Sequence, residues 1–494
     1  MDDTIQKKAI IIGAGIAGLS LAVRLQSKGI QVSVFEANTY PGGKLTELSK
    51  KGYRFDMGPS LFTMPQFVEE LFSISNKNIN HYFSYKKKET VCHYFYKDGT
   101  FFKASSNTDT FSSDAANVFD VEKNTIDNYF KKSKNKYELT SSLFLEKSLH
   151  KISTYLSKDT LKAIFNVRNL DINISLHEYN TSNFDDPKLI QLFDRFATYN
   201  GSSPYLTPGI MSMIPHLEQY YGTFFPKGGM HSITESIYKL AQDLGVQFYF
   251  NSTVNKIHIE NQIAVGISVN NKDFYGDFII SNSDVVPTYK NLIKDQKPPL
   301  KILKQPRSSS ALIFYWGIKK EFPSLDLHNI FFSDNYEKEF TYIFEKKKVY
   351  NDPTIYVNIT SKENKSDAPK GCENWFVMVN VPSNIGQDWD TIINEVRKDV
   401  LNRLSDSLSV DLEELIEFET VLDPRLIESN TKSYQGALYG ASSNNKFAAF
   451  LRHPNFSQNT SNLYFCGGSV HPGGGIPLCL LSGKIVSELI LKQV

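Results

Sequence analysis

The stretch Ala9–Lys44 reads AIIIGAGIAGLSLAVRLQSKGIQVSVFEANTYPGGK, and its reading decides the fold. An apolar strand, Ala9 to Ile12, runs straight into Gly13-Ala14-Gly15-Ile16-Ala17-Gly18. A helical stretch follows, then a second strand, Gln31 to Phe35, that ends on Glu36 and Ala37. This order predicts one βαβ unit turning on glycine. Gly13 permits the tight turn, Gly15 lets the backbone approach a pyrophosphate, and Gly18 lets the helix pack on the strand. The pyrophosphate then sits at the helix N-terminus, beside Ile16 and Ala17, where free N–H groups and the dipole favour an anion. Glu36 stands where a carboxylate accepts hydrogen bonds from a ribose. A secretory leader is the rival reading of this apolar run. The acidic start Met1-Asp2-Asp3, the interrupting Arg24 and the glycines all oppose it.

Composition narrows the class. At 494 residues the chain exceeds one compact core, so about three domains or layers are expected. A net charge of +1 gives no reason to expect nucleic acid. The four cysteines, Cys92, Cys372, Cys466 and Cys479, show no paired or metal-type spacing. No metal site is predicted, and a reducing, cytoplasmic compartment is the expectation. No apolar run of about 18 residues exists, so no membrane span is predicted. The 35 Phe and 26 Tyr either line a long apolar pocket or reflect a compositional bias.

Pro41-Gly42-Gly43-Lys44 follows the acid, and Gly52-Tyr53-Arg54-Phe55-Asp56-Met57-Gly58-Pro59-Ser60 comes soon after. Near the other end, the apolar strand Leu463-Tyr464-Phe465 runs into Cys466-Gly467-Gly468. Ser469-Val470-His471-Pro472-Gly473-Gly474-Gly475-Ile476-Pro477 then opens a helical run to the C-terminus. Glycines at a strand end allow close approach of a flat ring, and a helix N-terminus stabilises negative charge on it. Together these stretches resemble the FAD-dependent amine-oxidase and phytoene-desaturase superfamily, over essentially the whole chain. The resemblance implies FAD, held non-covalently, rather than NAD, because NAD dehydrogenases lack the second Gly-Gly-basic turn. It implies that Gly43 and Lys44 wrap back over the cofactor, with the lysine near the phosphates. It also assigns Gly58, Pro59, Ser60, Val254, Gly467, Gly468, Gly475, Ile476 and Pro477 to cofactor binding. The H-P-G-x-G-I-P pattern is similar to that of bacterial carotenoid desaturases. Amine oxidases usually carry an acid near the position of Gly468.

The expected fold class is α/β: a discontinuous Rossmann-like FAD-binding domain, a mixed-sheet substrate domain and a mostly helical insertion. The FAD-binding domain takes residues 1–75, 224–289 and 455–494. In its middle piece Ile233, Ile237, Leu240 and Leu244 recur at helical spacing, and Gly245 ends that helix. The Asn282-Ser283-Asp284 stretch is expected to return toward the flavin. The substrate domain takes 76–104 and 290–454, with strand-like runs such as Ala311–Gly317 and Trp375–Val379, and with Pro298-Pro299 and Pro306 marking a linker. The helical insertion is 105–223. Within it, Leu145, Leu149, Ile152 and Leu156 form an apolar stripe among lysines. The stripe reads first as core-facing, with contact to a membrane as the alternative.

Similarity is greatest to the 1-hydroxycarotenoid 3,4-desaturase branch, through Phe35–Asn38, Tyr40–Lys44 and Gly58–Pro65. General phytoene desaturases more often carry Gly-Gly-Arg where Lys44 stands. Leu478 and Cys479 occupy positions where the family usually has small residues. The implied reaction removes hydride to flavin and a proton from an allylic carbon pair, placing a C3–C4 double bond in a 1-hydroxylated carotenoid. No Ser-His-Asp arrangement is visible, and no catalytic base is assigned. His328 and His471 read as structural, and Asp56 as a hydrogen-bonding partner of its turn. The implied partners are a carotenoid, a membrane surface and, as electron acceptor, oxygen or a quinone. The rivals are phytoene desaturation or carotenoid isomerisation, an amine or porphyrinogen oxidase, and a flavin-free lipid-binding chaperone of the same fold.

Overall fold

The computed structural model of the chain describes residues 6–144, 150, 170–294, 296–445, 448 and 452–494. The apolar stripe of Leu145, Leu149, Ile152 and Leu156 lies outside the described residues.

Five parallel strands carry the site. Their order across the sheet is Leu463–Phe465, Phe278–Ser281, Lys8–Ile12, Gln31–Phe35 and Gln247–Tyr249. Ile10 of the central strand pairs with Ile279 on one side and with Ser33 on the other. Both faces of that strand are covered, which is why it reads as an unbroken apolar run rather than an alternation. Ala9 and Ile11 face a core shared with helices Ile16–Gln26, His231–Asp243 and Ile476–Leu491. Ile10 and Ile12 face a second core, closed by Val254, Ile257 and Ile267 of a three-stranded antiparallel sheet. The first helix is buried almost all round, including Arg24. That guanidinium is paired with both carboxylate oxygens of Glu70, at 3.2 and 3.1 Å, so a charge within the apolar run is accommodated. The C-terminal helix crosses close by: a Cβ at Gly483 would lie 2.9 Å from the Ala17 carbonyl oxygen.

A second sheet has seven strands, in the order Ile416–Leu422, Ser310–Ile318, Glu373–Val381, Ile355–Ile359, His328–Phe331, Thr90–Phe95 and Phe101–Ser105. It is antiparallel except where His328–Phe331 meets Thr90–Phe95. Side-chain alternation divides its faces. Trp316, Trp375 and Val377 pack with Trp389, Val396 and Val400 of helix Trp389–Leu408. Ala311, Ile313, Phe376 and Met378 look the other way, into a cavity. Helices Thr108–Phe119, Lys123–Phe144, Leu176–Thr181 and Pro187–Asp194 adjoin this sheet. Their core is aromatic, with Phe111, Tyr129, Phe184 and Phe193 set against Tyr94 and Phe102. The aromatic excess is therefore mostly packing. Among the described residues, only Phe35, Tyr40, Tyr199, Tyr336, Tyr356, Phe376 and Tyr439 of this class line the cavity. The stretch expected as a linker after Pro298-Pro299 contains a helical turn, Leu300–Leu303.

Candidate active site

One cavity of ≈ 1210 Å³ runs from the C-terminal ends of the parallel strands to the face of the seven-stranded sheet. Ligands of open parallel sheets sit at such strand ends. The sequence-selected residues come together on its wall. Gly13, Gly15, Ile16 and Ala17 line it from the first turn, and Glu36 and Ala37 from the second strand's end. Gly43, Lys44, Gly58, Pro59, Ser60 and Val254 add a second stretch of wall. Gly467, Gly468, Gly475, Ile476 and Pro477 close it from the C-terminal side.

Gly13 takes φ +99°, and its N–H donates to the Phe35 carbonyl at 2.7 Å. The Gly42 N–H donates to the Ala14 carbonyl at 2.8 Å, and a Cβ on Gly43 would lie 3.7 Å from Gly15 Cα. The second glycine turn thus folds directly over the first. Asn282 makes a further contact. Its Nδ2 donates to the Gly13 carbonyl at 3.1 Å. Cβ atoms at Gly15 and Gly18 would stand 2.9 and 2.7 Å from that nitrogen, and one at Gly467 would stand 3.0 Å from Oδ1. Three glycines from opposite ends of the chain make room for one amide, which ties the first motif to the last.

Glu36 is 7 % exposed, and its two oxygens accept from the N–H groups of Ala14 at 2.7 Å and Asn38 at 2.9 Å. The carboxylate holds the turn's shape and lines the cavity at once. Helices Ile16–Gln26 and Ile476–Leu491 begin after Gly15 and Gly475, and neither N-cap supplies a side-chain acceptor. First-turn N–H groups of both helices, apart from Pro477, which has none, are left for a ligand. Gly475 stands at φ +105° with nothing within 4 Å of a Cβ position. A side-chain-free wall between two helix N-termini fits a dinucleotide with a flat ring. Lys44 Nζ donates to the backbone carbonyls of Leu438 at 2.8 Å and Ala437 at 3.3 Å. Burial lowers its pKa, while the nearby Asp284 carboxylate pulls it upward. Cys479 also lines the cavity, and burial raises its thiol to about 11, so it stays neutral. All four cysteines are free, and among the described residues no cluster could hold a metal.

Beyond the glycine-lined arm the wall turns apolar, with Val91, Ala311, Ile313, Ile330, Phe376 and Met378. Polar side chains interrupt it, Thr354 and Asn380 among them, and two groups stand out. His328 Nδ1 lies 2.7 Å from the Tyr356 hydroxyl, which donates to Ser60 Oγ at 2.8 Å. The other is a buried pair, Arg195 and Glu218, joined at 2.8 Å and accompanied by Tyr199. The sequence pointed to neither Tyr356 nor this pair. Arg195 lay in a stretch read only as a helical insertion, though Phe193, Phe196 and Tyr199 at three-residue spacing flank it.

Of the other sequence candidates, His471 is 1 % exposed and does not line the cavity. Its carbonyl accepts from Asn455 Nδ2 at 2.7 Å and Ser482 Oγ at 3.0 Å, which pins the glycine loop. Asp56 accepts from the N–H groups of Met230 and His231 and from Arg54, at 2.7 to 3.0 Å. It fastens the start of helix His231–Asp243 to its own strand.

Burial holds His328 neutral, with its pKa down at about 3, and lowers His216 and His453 to about 4. The unfolded chain protonates these imidazoles near 6.5, the native one only near 3 to 4. Between those values the unfolded state binds more protons, so stability falls as pH falls. Each histidine contributes a slope of about 1.4 kcal/mol per pH unit in that window. Thermal midpoints recorded from pH 7.5 to pH 5 are expected to drop steadily below about 6.5. A flat profile would mean the imidazoles reach water.

The sequence profile of the flavin-containing amine oxidoreductases matches residues 16–491. The 1-hydroxycarotenoid 3,4-desaturase of Flavobacterium sp. is 58% identical over 484 residues, covering 98% of this chain and 99% of that protein. The 4,4'-diapolycopene oxygenase of Methylomonas sp. is 31% identical, with 100% of both chains covered. Among solved structures, an oxidoreductase from Methanosarcina mazei superposes with a TM-score of 0.64 at 17% identity, over 97% of this chain and 100% of that one, a likeness of fold. On its profile, its relatives and its glycine-walled cavity, the chain belongs to the flavin-containing amine oxidoreductase family and is an FAD-dependent oxidoreductase.

Proposed function

We propose that this chain places a C3–C4 double bond in a 1-hydroxylated acyclic or monocyclic carotenoid, with FAD bound non-covalently. The observation that carries the reading is the near full-length kinship with the Flavobacterium desaturase. The continuity of the glycine-lined and apolar arms in one cavity supports it. Bound FAD supplies a two-electron oxidant that accepts one hydrogen as hydride. The chain's own residues bind, orient and exclude water. Gly13–Ala17, Glu36, Ala37 and Val254 would hold the adenosine and pyrophosphate side. Gly43, Lys44, Gly58–Ser60, Gly467, Gly468 and Gly475–Pro477 would enclose the rest. The apolar wall from Val91 to Met378 keeps water from the polyene, over which the charge developing at the allylic carbon spreads. In this reading residues 1–75, 224–289 and 455–494 form the cofactor domain. Residues 76–104 and 290–454 form the substrate domain, and 105–223 an insertion over it. Oxygen or a quinone removes the electrons afterwards.

The test is product analysis with paired substrates. A 1-hydroxylated carotenoid is expected to gain one conjugated double bond, seen as a red shift and confirmed by chromatography. Its analogue without the hydroxyl is expected to react far more slowly, because a site built for a hydroxyl is left with unpaired polar groups. Equal or better turnover of phytoene would move the chain to general phytoene desaturation.

We also propose that the protein works from the cytoplasmic face of a membrane as a peripheral enzyme. A carotenoid leaves lipid only for an equally apolar wall, since each buried CH₂ is worth about 0.8 kcal/mol. Among the described residues no helix is long and apolar enough to cross a membrane. Vesicle flotation is expected to show binding that persists at high salt, as apolar contact requires. Complete release by salt would assign the binding to lysines, and absence of binding at any ionic strength would remove the proposal.

A further inference from the structure

The apolar arm of the cavity contains a feature that its chemistry does not explain. Arg195 and Glu218 line it, and they are 7 % and 3 % exposed. Burying such a pair seldom adds stability over well-packed apolar side chains. Its bonding is also incomplete. Arg195 Nη2 donates to Glu218 Oε1 at 2.8 Å, and the Tyr199 hydroxyl donates to Glu218 Oε2. Arg195 Nε is buried with no hydrogen-bond partner among the described residues, and each carboxylate oxygen keeps a further lone pair. The guanidinium is held among the rings of Phe196 and Tyr94, at 4.4 and 5.1 Å from their centroids. Glu218 comes from a π-helical turn, Leu217–Tyr221, a distortion that recurs at functional sites. The rigid fork therefore presents a spare donor beside a spare acceptor.

A substrate that is hydrocarbon except for one terminal hydroxyl offers one group matching that pair. We propose that Arg195 and Glu218, with Tyr199, read the terminal hydroxyl: the guanidinium donates a hydrogen bond to its oxygen and the carboxylate accepts one from its O–H. This assignment rests on the hydroxycarotenoid reading above. The position agrees with the chemistry. The hydroxyl-bearing C1 is two bonds from C3, so its reader must stand near the bond being oxidised. Arg195, His328 and Tyr356 line one cavity, and Tyr356 donates to Ser60, directly after Gly58-Pro59. Of the other polar groups of this arm, His328 Nε2 is also buried without a partner among the described residues, which makes His328 the rival reader of the hydroxyl. His328, Tyr356 and Ser60 bond one another, and the Thr354 hydroxyl donates to Glu339 at 2.7 Å.

The experiment uses the flavin-loaded enzyme and two carotenoids identical but for the terminal hydroxyl. The variants are Arg195→Met, Tyr199→Phe and the double change Arg195→Met with Glu218→Leu, which leaves neither charge alone. For Arg195→Met and the double variant, kcat/KM on the hydroxylated substrate is expected to fall about 10- to 100-fold. On the analogue it holds or rises, so the ratio collapses. Tyr199→Phe is expected to lower the ratio less. A structural role would lower both substrates together, or deplete flavin, with the ratio intact. Flavin-loaded variants that keep the wild-type ratio overturn the assignment. So does a ratio lost in His328→Gln but kept in the Arg195 variants. A wild-type enzyme that does not prefer the hydroxylated substrate fails earlier, and overturns the hydroxycarotenoid reading itself.

Discussion

A Gly15→Val variant is expected to fold and to purify without flavin. Its Cβ would meet only the Asn282 amide at 2.9 Å and that residue's Cγ at 3.9 Å. The amide is the far end of a side chain, so it can turn aside at the cost of its bond to the Gly13 carbonyl, a loss the fold is expected to survive. The two added methyl groups would occupy the cavity wall before the first turn of helix Ile16–Gln26, the space a pyrophosphate needs. Glu36→Gln is expected to weaken binding without abolishing it. The amide keeps one acceptor oxygen where the carboxylate serves the Ala14 and Asn38 N–H groups, and hydrogen bonds to a charged group are worth about 1.5–3 kcal/mol. The measurement is flavin released by acid per mole of protein. Wild type should release all of it into solution, as non-covalent binding requires, Glu36→Gln a fraction, and Gly15→Val none. A folded Gly15→Val protein with full occupancy would sink the assignment of this turn to the pyrophosphate.

The same turn shows what a sequence states and what it withholds. The βαβ unit was legible because strand, glycines, helix and acid are contiguous and each residue type has a local reason to be there. The strands Phe278–Ser281 and Leu463–Phe465 were legible as strands from their apolar runs. The glycines that follow Leu463–Phe465 were legible as a close approach. What they approach was not: the Asn282 amide lies between Gly15, Gly18 and Gly467, and no local pattern joins residues 15, 282 and 467. Lys44 shows the same limit. Its motif marks a basic residue at the cofactor, but its partners are the backbone carbonyls of Ala437 and Leu438, which any sequence supplies. The Arg195–Glu218 pair was hidden for a different reason. A charge in a helical stretch is ordinarily a solvated one, and only the packing of Tyr94 and Phe196 around it reveals a buried site. The seven-stranded sheet was readable in its long apolar strands, Ser310–Ile318 and Glu373–Val381, but not in its order, which depends on pairings far apart in sequence.

Gly58→Ala is expected to be the most damaging single-methyl change in the cofactor wall. A Cβ there would lie 1.9 Å from the Lys44 carbonyl oxygen and 2.9 Å from its carbon. Both are backbone atoms, so no rotamer relieves the overlap, and one segment must move. The Lys44–Thr46 segment is fixed from several sides. Lys44 Nζ donates to Leu438 O, and the Leu45 carbonyl accepts from Thr234 Oγ1 at 2.9 Å and lies 3.0 Å from His231 Nδ1. The Thr46 carbonyl accepts from the Met57 N–H at 2.7 Å. Displacing it would break several of these bonds and open the gap between the two stretches, Gly43–Lys44 and Gly58–Ser60, that line the cavity together. Overpacking of this kind costs about 3 kcal/mol or more. Gly29→Ala is the control. Gly29 sits at φ +83° with nothing within 4 Å of its Cβ position, so it suffers only left-handed backbone strain, about 1–2 kcal/mol. Denaturant midpoints of the flavin-free proteins, followed by flavin titration, separate the two effects. Gly58→Ala should lose both stability and flavin affinity, Gly29→Ala a little stability alone. Native stability and affinity in Gly58→Ala would mean that the Lys44–Thr46 segment yields at no cost, and that the two glycine turns do not act as one wall.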